Sequence, residues 1–249
     1  VYYKQSNYDK ALEYYNKALD IRTNKLGKDH PDVAESYHSI GSVHFSRYKY
    51  DRALKCLNKS FDILINKLGK DHPHVASAYY NIGAVHDEQG NYDKAIQFYT
   101  KSFLLNPNYA EAYYNMGNSL QRKGKLSEAI EYFNKALVIK RDYAEAHMNL
   151  GVLFTIQSKY IDAINTYNKA LLINPNYAEA YYNMGNSLRH QGKLSEAVVS
   201  FKKALTIKTD YAEAYMNMGL VLKDQDKLEE AIESFKSAIT IKEDFAEAY

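Results

Sequence analysis

Apolar side chains recur along this chain in two alternating stripes, each at helical spacing. At about 100° per residue, Tyr113, Met116, Gly117 and Leu120 fall on one side of a helix. A few residues on, Ala129, Ile130, Phe133, Ala136 and Leu137 form a second stripe with i, i+4, i+7 spacing. Gly124 lies between the two stripes and marks a turn, as does Gly192 further along. The pattern predicts a helical hairpin, helix A then helix B, with Gly117 and the alanines small where the helices must approach closely.

The hairpin repeats. Gly41, Gly83, Gly151, Gly185 and Gly219 share the column of Gly117, and Ala53, Ala95, Ala163, Ala197 and Ala231 share that of Ala129. In the second part of the chain the period is 34 residues, and residues 106–120 return unchanged at 174–188, so two unit types alternate. In the first part Asn24-Lys-Leu-Gly-Lys-Asp-His-Pro31 returns as Asn66-Lys-Leu-Gly-Lys-Asp-His-Pro73, 42 residues on. The extra eight residues are expected to add about two turns to helix B plus a loop. A unit of this size cannot bury its own apolar face, so neighbours must stack. The reading is a partial repeat with an extended helix B and loop over 1–33, and two units over 34–105, the first with the 42-residue period. Units of 34 residues and the start of a further one follow over 106–249. No Gly/Ser linker divides these parts, so one continuous superhelix is expected. Both ends fall inside a helix A without a polar capping helix, which suggests an excerpt of a longer protein.

The phrase Tyr113-x2-Met116-Gly117-x2-Leu120, then Ala129-x3-Phe133 with Ala136 following, resembles the tetratricopeptide repeat (TPR), and six copies in phase cover essentially the whole chain. The resemblance implies an all-α fold, a right-handed superhelical solenoid of antiparallel helical hairpins that acts as an interaction scaffold. The Leu-Gly-Lys-Asp-His-Pro phrase resembles the longer repeats of the kinesin light chain family. The 34-residue part resembles the arrays of O-linked N-acetylglucosamine transferases. Helix starts are expected at Asn108, Asp142, Asn176, Asp210 and Asp244, each followed three residues later by glutamate (Glu111, Glu145, Glu179, Glu213, Glu247) in the manner of a capping box.

Helix A lines the concave side in this family, and the wheel puts Glu111, Tyr114, Asn115, Asn118, Gln121 and Arg122 opposite its packing stripe. Asn81, Asn115, Asn149, Asn183 and Asn217 form one column on that inner face; the first unit has Ser39 there. A carboxamide both donates and accepts, so it can pair with the backbone of an extended peptide, the role inner asparagines have in the families resembled. The alternative is that these asparagines satisfy neighbouring helix groups across the repeat interface. Beside them stand Tyr80, and Tyr114, Asn118, Gln121 and Arg122, matched by Tyr182, Asn186, Arg189 and His190. The intervening units present Met148, Val152 and Ile156, then Met216 and Leu220. The expected ligand sets apolar side chains against Met148 and Met216, and polar or acidic ones against Arg122 and Arg189. The basic clamp for chaperone C-terminal tails is missing: its positions hold Tyr80, Tyr114, Met148 and Tyr182, or the glutamates.

Charge and chemistry narrow the rest. Lys and Arg total 32 against 30 Asp and Glu, a net charge of +2 without a basic stripe, so no nucleic acid partner is expected. No run approaches the ~18 apolar residues of a membrane span. Cys56, the single cysteine, excludes an internal disulfide and points to a reducing, cytoplasmic compartment. Asp71-His72-Pro73-His74 has two possible zinc ligands, but its counterpart Asp29-His30-Pro31-Asp32 lacks the second histidine, and His74 falls in the expected N-cap column. His44 and His86 occupy a helix A position that is apolar elsewhere and are read as packing residues. No catalytic motif stands out, and no cofactor or metal is expected. The function expected is that of a protein–protein interaction scaffold that binds a protein or peptide ligand, as an extended peptide or a partner helix, in its concave groove. Two others stay open: the substrate-selecting array of a glycosyltransferase whose catalytic domain lies elsewhere, and a structural module that self-associates through uncapped ends.

Overall fold

The computed structural model describes residues 2–241, in which 13 α-helices and no strand are found. They divide into two compact units, Val1–Ile139 and Lys140–Tyr249. The first holds α1 (Tyr8–Leu26), α2 (Pro31–Ser46), α3 (Tyr50–Leu68), α4 (Pro73–Glu88), α5 (Tyr92–Leu105), α6 (Ala110–Arg122) and α7 (Leu126–Ile139). The second holds α8 (Ala144–Ile156), α9 (Tyr160–Ile173), α10 (Ala178–His190), α11 (Leu194–Ile207), α12 (Ala212–Asp224) and α13 (Leu228–Ile241). Helices A and B pair as α2–α3, α4–α5 and α6–α7 in the first unit and as α8–α9, α10–α11 and α12–α13 in the second. Within each unit the hairpins stack in sequence, helix B against the following helix A. The change of repeat type near residue 105 lies inside the first unit, where α5 packs on α6.

The eight extra residues of the longer period are placed differently from the expectation. α1 and α3 have 19 residues against 14 in α7, while α2 and α4 have 16 against 13 in α6. Helix B gains about one and a half turns, and the rest extends the start of the next helix A. Pro31 and Pro73 open those longer A helices at the position where a missing N–H costs nothing.

The caps also differ. His30 and His72 are the N-caps of α2 and α4, their Nδ1 atoms accepting from the N–H of Asp32 and His74 at 3.2 Å, so His74 does not cap. In the shorter units the N-cap is Tyr109, Tyr143, Tyr177 or Tyr211, one residue beyond the expected Asn or Asp, and no side chain closes a cap bond there. The capping box is therefore not formed; instead Asn106 and Asn174 accept from the N–H of Asn108 and Asn176, bending the chain before the helix. Asp244 and Glu247 lie outside the described residues.

Each hairpin closes on one contact. A Cβ on Gly117 would stand 2.7 Å from the ring of Phe133, and one on Gly151 would stand 2.5 Å from that of Tyr167. Both rings are fully buried and cannot withdraw. At Gly41 the opposing group is the Leu57 side chain, 3.0 Å away and so less tightly approached than either ring. The A-to-B turn requires a left-handed residue, supplied by Gly90, Gly124 and Gly192 and elsewhere by Tyr48, Ser158 and Asp226 at φ 56, 58 and 61.

Replacing Gly151 by Ala should destabilise the second unit by about 1–3 kcal/mol from overpacking, even after the ~1 kcal/mol gained in helix propensity. Gly41→Ala should cost clearly less. Urea denaturation of the two variants checks the order; equal costs would refute the ring-contact explanation.

Candidate functional site

The column of asparagines on the A helices is half-buried throughout. Its asparagines are tied. In the first unit Asn81 Nδ2 donates to His38 Nε2 at 2.8 Å, Asn115 Nδ2 to the Tyr80 hydroxyl at 2.9 Å, and Asn118 Nδ2 to Asn115 Oδ1 at 3.4 Å. In the second, Asn217 Nδ2 donates to the Tyr182 hydroxyl at 3.0 Å and to Asn186 Oδ1 at 2.9 Å. Asn183 Nδ2 meets only the sulfur of Met148, at 3.6 Å. Asn149 is half-buried on α8 in the same column. Each of these donors except that of Asn118 thus reaches one A helix back. This is the cross-interface satisfaction set out as the alternative, and it uses the amide nitrogen while the oxygen of Asn183 or Asn217 remains able to accept.

Tyrosines shape the same face. The Tyr80 ring lies 5.8 Å from Tyr99 and 4.9 Å from Tyr109, and the Tyr182 ring 6.0 Å from Phe201 and 4.9 Å from Tyr211. Tyr114 packs 5.7 Å from Phe133. Burial pushes the Tyr109 hydroxyl up to about 12 and raises that of Tyr211 as well, so both stay protonated donors. Met148 and Val152 pack on the core of the second unit, Met216 and Leu220 are half-buried, and Ile156 is exposed.

The arginines are already partnered. Arg122 pairs with Asp87 at 3.3 Å and lies over the Tyr92 ring at 5.8 Å, while Arg189 pairs with Asp224 at 3.3 Å. Asp87 is buried and also accepts from Ser119, so the Arg122 charge is held in a bridge between successive A helices. An acidic ligand group would have to displace these carboxylates. His38, Asp87, Tyr109 and Tyr211 were not singled out from the sequence. Their columns are visible, but their pairings span 29 or more residues and carry no local periodicity.

Four half-buried histidines are held towards their neutral form. The Nδ1 atoms of His44, His86 and His147 are buried without a partner, and His86 stacks on Phe98 at 5.5 Å. Burial lowers the pKa of His38, His44, His86 and His147 below the ordinary 6.5.

These contacts accord with what the chain is similar to. Tetratricopeptide-repeat profiles match residues 1–66, 39–103, 110–143 and 212–245, and a further TPR-repeat profile matches 87–124, 153–189 and 185–226. The chain belongs to the tetratricopeptide-repeat family. Among solved structures, MamA is 30% identical with a TM-score of 0.62, with 65% of this chain and 95% of that one covered. YrrB, described as a TPR protein with an unusual peptide-binding site, is 27% identical with a TM-score of 0.65, covering 76% of this chain and 95% of its own. A chain of the APC/C hetero-tetramer Cut9–Hcn1, 20% identical, shares the fold at a TM-score of 0.71 over 95% of this chain and 44% of its own. Compared with curated proteins, the sequence shows no match. No helix among the described residues is long and apolar enough to cross a membrane.

Because the neutral histidines are favoured in the folded state, their contribution is whole above the unfolded pKa of 6.5 and is lost as pH falls through and below it. The thermal midpoint should therefore fall between about pH 7.5 and about pH 5.5, above the usual carboxylate range. His86→Leu, the residue type of Leu120 in the same column, should flatten the fall; an unchanged slope would exonerate this histidine.

Proposed function

We propose that this chain is a protein-interaction scaffold that captures an extended peptide along the A-helix faces, without chemistry of its own. The observation that supports it best is the anchored asparagine column. A carboxamide whose nitrogen is held by the preceding helix presents its oxygen in a fixed direction, ready to accept a backbone N–H without losing side-chain freedom on binding. YrrB, whose description names a peptide-binding site, lends the same reading to a repeat array of this kind.

In the second unit Asn183 and Asn217 set the register, and Met148, Met216 and Tyr182 provide adaptable apolar contacts. In the same unit Arg189 orients the face through Asp224 and contacts the ligand at the rim. A single peptide held this way binds in the micromolar range, about −8 kcal/mol.

Asn183 gives the cleanest test, since its only tie is a weak one to sulfur. Asn183→Ala should leave the melting temperature almost unchanged and abolish recovery of a motif from a peptide-display library. Asn217→Ala, losing two hydrogen bonds, should also destabilise the fold by about 1–2 kcal/mol. Met148→Asp and Met216→Asp should prevent recovery too. Undiminished recovery by Asn183→Ala and by both methionine variants would reject this face as the binding surface.

A further inference from the structure

A slot that the chain fills with its own tyrosine in later hairpins stands open in the first complete one. Between α4 and α6, Tyr109 covers Tyr80 with ring centres 4.9 Å apart and bonds Ser77. Tyr211 covers Tyr182 in the same way, again at 4.9 Å. One hairpin earlier, between α2 and α4, the residue in register with Tyr109 is Val75, which is buried in the core. No ring therefore covers His38, the counterpart of Tyr80. What remains is a cavity of about 370 Å³ lined by Asp32, Glu35, His38, Ser60, Leu64, His74 and Asn81 among others. The longer period helps to build it. Leu64 stands on the added turn of α3, at the register where the shorter α5 has already ended in Asn106.

The lining selects a ligand. Leu64 gives an apolar wall, and two carboxylates line the cavity, that of Glu35 already paired with Arg22 and that of Asp32 with no lysine or arginine partner among the described residues. Ser60 is only 2% exposed and makes no hydrogen bond with any described residue. Its counterpart Ser102, by contrast, donates to the Ala76 carbonyl at 2.8 Å. His38 Nε2 accepts from Asn81, which leaves the imidazole neutral and able to lie against a cation. The same turn of α2 already takes one guanidinium from the α1 side. Arg22 Nη1 reaches Glu35 Oε2 at 3.0 Å, the Asp32 carbonyl at 2.9 Å and Ser36 Oγ at 3.0 Å.

We propose that this cavity is a subsite for an arginine side chain of a peptide captured by the first unit. The guanidinium faces Asp32, Glu35 and Ser60 and lies flat on His38, while the methylenes run along Leu64. Arginine fits better than lysine because its planar head can stack on a ring and offer N–H groups to several acceptors at once. The assignment rests on the peptide-capture reading above and adds a side-chain preference to it.

The test titrates acetyl-Gly-Gly-Arg-Gly-Gly-amide into the whole chain and follows the ring signals of His38 and His74 by NMR. The same peptide with norleucine, lysine or tyrosine in place of arginine serves as comparison. The arginine peptide should shift both rings saturably and bind about tenfold more tightly than the norleucine one, the loss expected for a charged hydrogen bond. Asp32→Asn should weaken the response, and Leu64→Lys, which places a cation at the wall, should remove it; melting curves confirm that both variants fold. An equal response to norleucine, lysine or tyrosine overturns the assignment, as does no response to arginine or an undiminished one in Leu64→Lys. The display experiment reads Asn183, Met148 and Met216 in the other unit. Failure there with the histidine shifts intact would sink capture by the second unit's face alone, and the reverse result would sink only the arginine subsite.

Discussion

The closest approach in every complete hairpin but the first, an aromatic ring of helix B laid on a glycine of helix A, sets the geometry of everything else. With no Cβ at Gly117 or Gly151, the ring of Phe133 or Tyr167 fills the space between the two helices and is lost to solvent completely. That fixes how far apart the helices stand and which way helix A is rotated. Once helix A is rotated so that its glycine meets the ring, the residue two positions earlier must stand on the other flank. The asparagine column is that residue. Its position follows from packing, whatever its use.

The asparagine-bearing faces of the A helices are accordingly a mixture of structural ties and open chemistry. The amide nitrogens of Asn115 and Asn217 tie each A helix to the tyrosine of the one before it, and Arg122 and Arg189 are tied to acidic partners in the same fashion. A tie of this kind holds one hairpin in register on the next where apolar contacts alone would allow sliding. It also removes rotamer freedom from the groups that would meet a ligand, so stacking and recognition draw on the same residues.

Much of this was legible in the sequence, and for a local reason. The glycine and alanine columns, the hairpin turns at Gly124 and Gly192 and the six complete hairpins all follow from apolar spacing within one helix or from a fixed period. The helix starts were less legible. Asn108 and Glu111 have capping-box spacing, yet the chain turns on the Asn106 side chain and the helix begins after Tyr109. There the tyrosine covers the preceding hairpin, a tertiary demand that overrides local capping preference. The eight extra residues were counted correctly but divided wrongly, because periodicity gives no boundary between the end of one helix and the start of the next. The arginine partners were beyond reach, since Asp87 and Arg122 meet only through the stacking of two A helices.

The central claim, that tied asparagines present their oxygens to a peptide, is tested most directly by side-chain amide NMR with a display-selected peptide. The carboxamide signals of Asn183 and Asn217 should shift saturably with the binding curve while the Asn217 protons stay protected from exchange, as expected if its nitrogen keeps its bonds to Tyr182 and Asn186. Saturable binding with both carboxamide signals unmoved would contradict the account and place recognition elsewhere on the chain.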